Sequence, residues 1–205
     1  MQWSRALRVS TAAGIFASGL MAGLVLSGTV VTGLQRGSGP QDTMKAMEVV
    51  VAKDQIKDQI YNYCRGLDRM DKPLALSVWH SDATVESGGF KGTGPEWIES
   101  AWRTHEKIFA HTHQMTNILI KVDGDKATSE TYFITSLRGE PTPESASTRL
   151  IRGRYADRWS KRNGRWAMDY RRILVDFTTV DDSTGRNPQS AGRRDKTDVS
   201  YGIYF

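Results

Sequence analysis

The chain has 205 residues, 39% hydrophobic and 25% charged, a balance that fits one globular domain with tails and excludes wholesale disorder. Its formal charge of +5 invites a nucleic-acid reading, but Arg5, Arg8 and Arg36 lie in the first forty residues, which hold no acid; the remainder carries +2, too little for phosphate binding by bulk electrostatics. The single cysteine, Cys64, excludes an intramolecular disulfide and a cysteine-rich zinc site, and fits either redox compartment.

Residues 1–36 read as a basic start followed by an apolar segment, since no charge occurs from Val9 to Leu34. The segment is long enough to cross a bilayer, weakly apolar for a spanning helix and long for a signal core. Val31-Thr32-Gly33 offers a small-residue cleavage context, and small residues near every fourth position would also pack one membrane helix on another. Three readings stay open: an export signal, an uncleaved anchor giving membrane association through residues 9–34, or an upstream misassigned start, with Met44 or Met47 opening the domain. The first two put the protein outside the cytoplasm or on a membrane, the third in the cytoplasm. Residues 37–47, with Gly37-Ser38-Gly39-Pro40, are expected to be a linker, and 48–180 the folded domain.

From Glu48 to Leu67, Ile56, Ile60, Tyr63, Cys64 and Leu67 recur at helical spacing opposite Lys53, Asp54, Lys57, Asp58 and Asn62; Gly66 is expected to end that helix. Pro73 opens a short helix, Leu74–Trp79, capped by Asp71. His80-Ser81-Asp82 reads as a turn, Ala83–Glu86 as a strand and Gly88-Gly89 as a hairpin. Gly94-Pro95 begins a helix to about Ala110 with an apolar stripe of Trp97, Ile98, Ala101, Trp102, His105, Ile108 and Phe109. The period then changes to two. His113–Val122, Ala127–Leu137, Thr148–Ser160 and Arg165–Val180 read as long strands, joined at Asp123-Gly124-Asp125, by a loop around Pro141 and Pro143, and at Arg162-Asn163-Gly164.

Helices followed by an antiparallel meander predict an α+β fold, with a curved sheet burying one face against the helices and leaving a conical cavity. The polar, Gly-rich stretch 181–205 is expected to lie over the surface or a neighbouring subunit, docked by Tyr201, Tyr204 and Phe205.

Tyr63-x-x-x-x-Asp68 at the helix end, Thr112-His113-x-x-Thr116-Asn117 entering the strands, Asp123-Gly124-Asp125-x-Ala127 at the hairpin, and Gly164-x-Trp166 before a strand bearing Arg171-Arg172 resemble the SnoaL-like branch of the nuclear-transport-factor-2-like (NTF2-like) superfamily. The likeness covers residues 48–180 and is nearest to the dehydrochlorinase, bile-acid dehydratase and scytalone dehydratase group. It implies an α+β cone, a cofactor-free site and a homo-oligomer, dimer or trimer. Carried over by motif, it implies Asp68 and His113 as a proton-abstracting pair, with Tyr63 and either Arg171 or Arg172 beside them. Alternation puts only one of those arginines inside, and Arg171 is favoured by its distance from Trp166. The scaffold hosts many chemistries, so the resemblance names no substrate.

The residue types suit that chemistry. A neutral imidazole accepts a proton near neutral pH, and a carboxylate on its other nitrogen fixes the tautomer and stabilises the imidazolium formed. A departing hydroxide or halide, or an enolate oxygen, needs donors or positive charge, which Tyr63 and an inward arginine supply. Trp79, Ile108, Phe133 and Ile151 are expected to line an apolar pocket for a small cyclic or steroid-like substrate. Blander readings stand beside these: Asp68 as a helix cap or partner of Arg65 or Arg69, His113 as a satisfied strand histidine, Cys64 as a core residue. His111-x-His113 also has metal-ligand spacing, with His80, His105 or Glu86 as a third ligand, but nothing fixes that third ligand and His111 is expected at the pocket rim or surface. The functional expectation is a cofactor-independent dehydratase or related elimination enzyme without a metal. A ketosteroid-isomerase-like isomerase and a non-catalytic ligand-binding or assembly module remain as alternatives.

Overall fold

The computed structural model describes residues 39–140, 147–181 and 192–204. The expectations for the apolar N-terminal segment, for the loop at Pro141 and Pro143 and for the Tyr204 and Phe205 side chains lie outside the described residues. Among the described residues no helix is long and apolar enough to cross a membrane.

Helix α1 spans Pro40–Asp68, starting eight residues before the expected Glu48, so that 40–47 is helix rather than linker. Proline in the first turn costs no hydrogen bond there, and the Gly39 N–H donates to the Asp42 carboxylate at 3.3 Å. Met44, Met47 and Val50 on these first turns are exposed, whereas Ile56, Ile60, Tyr63 and Leu67 form the buried stripe. Gly66 does not end the helix. It lies where α1 meets α2 (Lys72–Ser77): a Cβ on it would stand 2.5 Å from the Ala75 backbone nitrogen. The chain instead reverses at Met70, a left-handed residue (φ 51), with Asp71 N–H donating to the Gly66 carbonyl at 2.8 Å. Asp71 caps α2, accepting from Leu74 N–H at 3.3 Å.

Strand β1 runs Trp79–Ser87, and the hairpin at Gly88 leads into β2 (Phe90–Thr93). His80–Asp82, expected as a turn, lies within β1; the pairing with β6 slips between Trp79 and Thr84, and His80 Nε2 meets the Ser160 carbonyl at 3.0 Å. Thr93 and Glu96 form a capping box for α3 (Gly94–His105), which ends before Ile108 and Phe109. Four long strands follow: β3 (Ala110–Asp123), β4 (Lys126–Arg138), β5 (Thr148–Arg162) and β6 (Arg165–Asp181). Spatial order is β2-β1-β6-β5-β4-β3, antiparallel except for β1 against β6. A short helix, α4 (Ser200–Tyr204), closes the described chain.

The fold is α+β: helices packed on one face of a curved, unclosed mixed sheet. Part of the curvature has a local cause. The pairing of β5 with β6 slips between Arg152 and Gly153, and a Cβ at Gly153 would run into the Leu174 carbonyl, so only glycine allows the close approach at this bend. Every second residue of β4 from Ala127 to Leu137 is buried, Phe133 among them.

Candidate active site

Asp68, the last residue of α1, holds His113 of β3 at two points. Its Oδ2 accepts from the His113 backbone N–H at 2.9 Å, and its Oδ1 meets His113 Nδ1 at 2.6 Å. An ionised Asp68 accepts at both oxygens, so Nδ1 donates to Oδ1, and in the neutral ring Nε2 is then the nitrogen with the lone pair. The His113 side chain is 5% exposed and that of Asp68 13%.

His113 lines a cavity of about 210 Å³ between α1, α3 and the sheet. Leu67, Trp97, Phe133, Leu137, Ile151, Tyr155 and Ile173 supply apolar wall; Tyr63, Thr104, His105 and Thr135 add polar groups. The Tyr63 hydroxyl accepts from Trp97 Nε1 at 2.9 Å, leaving its own proton available. Burial raises the Tyr63 pKa, against Arg171 and the Trp97 hydrogen bond, so the phenol stays neutral. Burial also pushes the Cys64 thiol up to about 12, making it an inert core group.

Phe133 and Ile151 line this cavity; Trp79, Ile108 and Arg172 do not. Trp79 is buried behind it, its Nε1 donating to the Ala75 carbonyl at 3.0 Å and its ring filling the space a Gly94 Cβ would take. Ile108 follows the end of α3, with its carbonyl held by Arg194. Arg172 alternates to the exposed face of β6. Arg171 does point inward, but one layer beneath the cavity wall. Its Nε and Nη2 donate to Oδ1 and Oδ2 of Asp157, each at 2.8 Å, with both side chains fully buried. Its guanidinium lies 3.9 Å from the Tyr155 ring centre and 4.4 Å from that of Tyr63. Burial alone would lower its pKa, but Asp157 outweighs that and holds it above the ordinary value. Arg171 therefore meets the tyrosines of the cavity wall rather than the cavity itself.

His111, expected at the rim, is buried. Its Nε2–H donates to the Leu67 carbonyl at 2.6 Å and lies 3.8 Å from Asp68 Oδ1. The His105 ring stands 4.3 Å from that of His111, centre to centre, and 6.0 Å from that of His113. Burial first, then the neighbouring imidazoles of His111 and His113 and the Arg194 guanidinium, lowers His105 to about 3; burial lowers His111 to about 4 against the opposing effects of Leu67 and Asp68. Both are neutral at pH 7. Among the described residues no group of three or more His, Cys, Asp or Glu side chains could hold a metal ion.

The C-terminal segment packs over the end of α1. Tyr201 donates to Asp71 at 2.9 Å, Arg69 donates to the Arg193 carbonyl at 3.0 Å, and Arg194 reaches the carbonyls of His105, at 2.5 Å, and Ile108. The docking of Tyr201 is as expected, whereas nothing in a polar, Gly-rich stretch announces the arginine contacts. The sequence also hides Asp157, for a definable reason: counting from the Asn163-Gly164 turn pairs it with Tyr170, whereas a slip between Arg158 and Trp159 brings it opposite Arg171.

The sequence model of the SnoaL-like domain matches residues 48–172. The chain belongs to the SnoaL-like family. Among solved structures this SnoaL-like chain is similar to a putative scytalone dehydratase from Novosphingobium aromaticivorans, at 20% identity and TM-score 0.57, covering 69% of this chain and 95% of that one. It is similar to a hexachlorocyclohexane dehydrochlorinase from Novosphingobium barchaimii, at 18% identity and TM-score 0.60, covering 70% and 99%. A protein of unknown function from Mycobacterium tuberculosis shares 27% identity at TM-score 0.54, covering 68% and 78%. No curated protein sequence matches the chain. At such identities the structural neighbours establish the NTF2-like fold.

Proposed function

We propose that this SnoaL-like protein is a cofactor-independent lyase, a dehydratase or related elimination enzyme acting on a small cyclic, apolar substrate. The observation that carries the reading is the 2.6 Å contact of Asp68 with His113 Nδ1 on the wall of a largely apolar cavity. His113 Nε2 takes a proton from substrate carbon as that C–H bond breaks; the electron pair forms the new C=C bond, directly or by way of an enolate, and hydroxide or halide leaves. The imidazolium, stabilised by Asp68, returns its proton to departing hydroxide as water, or to solvent when halide leaves. Such general-base work contributes about 10²–10⁴ in rate. Tyr63 donates to the leaving group or an enolate oxygen, and Arg171 beneath Tyr63 and Tyr155 sets the field in which they act. A volume of about 210 Å³ favours one or two rings over a steroid nucleus. The exposed Val175, Phe177 and Val180 at the end of β6 support association of this chain into a homo-oligomer as part of the same proposal.

The test is a panel of cyclic alcohols and ring halides incubated with the protein, with loss of water or hydrogen halide followed by mass spectrometry. Wild type is expected to act on a member of the panel, with His113→Gln and Asp68→Asn reduced by about 10² or more at unchanged folding. Turnover equal in wild type and His113→Gln would overturn the mechanism, and ligand binding without turnover across the panel would favour a binding module.

A further inference from the structure

His105 lines the cavity beside His113, and the elimination proposed above gives it no task. It is nearly buried, at 7% exposure, and set with unusual care for the last residue of a helix. Its backbone carbonyl accepts from Arg194 Nη2 at 2.5 Å and from the Ile108 N–H at 3.1 Å, while its ring packs on that of His111 at 4.3 Å. Its Nδ1 is sealed from solvent and has no hydrogen-bond partner. A buried N–H without an acceptor is rarer in folded proteins than a buried lone pair without a donor, so the proton belongs on Nε2. With Nδ1 sealed, Nε2 is the ring nitrogen left to meet the cavity that His105 lines.

We infer that His105 is a second substrate-contacting imidazole of this site, a neutral hydrogen-bond donor whose Nε2–H holds an acceptor oxygen of the substrate while His113 removes the proton. This rests on the lyase reading and narrows it to substrates that carry an acceptor oxygen on the ring system. The surroundings keep the donor neutral: burial, the two neighbouring imidazoles and Arg194 all disfavour a charge on His105. A neutral imidazole can stabilise developing negative charge on oxygen without giving up its proton, and it stays a donor throughout the working pH range. Two imidazoles whose ring centres are 6.0 Å apart then divide the work, an acceptor at His113 and a donor at His105. Arg194 is a positioning residue in this scheme, holding the chain at the end of α3.

The experiment uses the wild-type protein labelled with nitrogen-15 in its histidines, with 1-tetralone as a bicyclic probe bearing an acceptor oxygen and tetralin as its oxygen-free counterpart. His105→Gln serves to assign the resonances. The expected result is an Nε2–H tautomer for His105, with an Nε2 resonance that moves when 1-tetralone is added and stays with tetralin. In His105→Phe the preference for 1-tetralone over tetralin is expected to fall about tenfold. With a turned-over substrate, kcat/KM of His105→Phe is expected to fall about 10²–10³ and that of His105→Gln, which keeps a donor, to fall less. An Nδ1–H tautomer, or a wild-type resonance that ignores both probes or answers both alike, would overturn the inference, with a variant needed only for assignment and His105→Phe serving for it if His105→Gln fails to fold. Tautomer and binding preference need no turnover, so a failure of the lyase reading at His113 is distinguishable from a failure at His105.

Discussion

The Asp157–Arg171 pair offers the sharpest test of how the cavity floor is held. Both side chains are fully buried, joined by two hydrogen bonds of 2.8 Å, with Arg171 also packed against the rings of Tyr155 and Tyr63. Removing one partner of such a pair leaves an uncompensated buried charge, a loss of about 3–5 kcal/mol, whereas replacing both with apolar residues of similar volume is often near neutral. Asp157→Ala is therefore expected to destabilise by about 4 kcal/mol, roughly 8–16 °C in Tm for a domain of this size. Arg171→Met is expected to cost a similar amount, and Asp157→Leu with Arg171→Met to recover most of it. Urea unfolding at pH 7, followed by tryptophan fluorescence, measures all three. If Asp157→Ala stayed within about 1 kcal/mol of wild type, or the double variant simply summed the single losses, the two groups could not be the coupled pair described.

The buried histidines make stability depend on pH. Folded His105 and His111 titrate at about 3 and about 4, below the ordinary 6.5, so as pH falls the unfolded chain takes up protons first. Their contribution is complete above pH 6.5 and declines toward pH 4, by up to about 1.4 kcal/mol per pH unit for each. His105→Phe is expected to flatten that slope between pH 6.5 and 5, and an unchanged slope would refute the assignment. Gly66→Ala places a Cβ 2.5 Å from the Ala75 nitrogen and is expected to cost about 1–3 kcal/mol, as overpacking does, with a matching drop in the urea midpoint. A neutral effect would mean that α2 is free to shift away from α1.

Much of the fold was legible because its signals are local. The switch from helical spacing to alternation at the start of β3, and the turns at Gly88, Gly124 and Asn163-Gly164, mark the elements to within a few residues. The Asp68 and His113 positions were legible from motif, and the structure brings the two side chains together. What escaped depended on non-local events. Arg171 reads as a free inward cation until the register slip in β5 supplies Asp157. His105 reads as one more residue of an apolar stripe until α3 stops there and the distant Arg194 reaches its carbonyl. Gly66 reads as a stop signal because close approach of a second helix leaves no local trace. Only hydrophobicity points Trp79 and Ile108 to the pocket, and it reports burial but not which side of the cavity wall a residue occupies.

The most direct measurement of the central claim is deuterium exchange at the acidic ring carbon of 2-tetralone in heavy water, followed by proton NMR with wild type and His113→Gln side by side. It isolates proton abstraction from whatever leaves afterwards. The account predicts exchange by wild type about 10² or more faster than by His113→Gln, with Asp68→Asn also impaired. Exchange at the same rate in wild type and His113→Gln would contradict it.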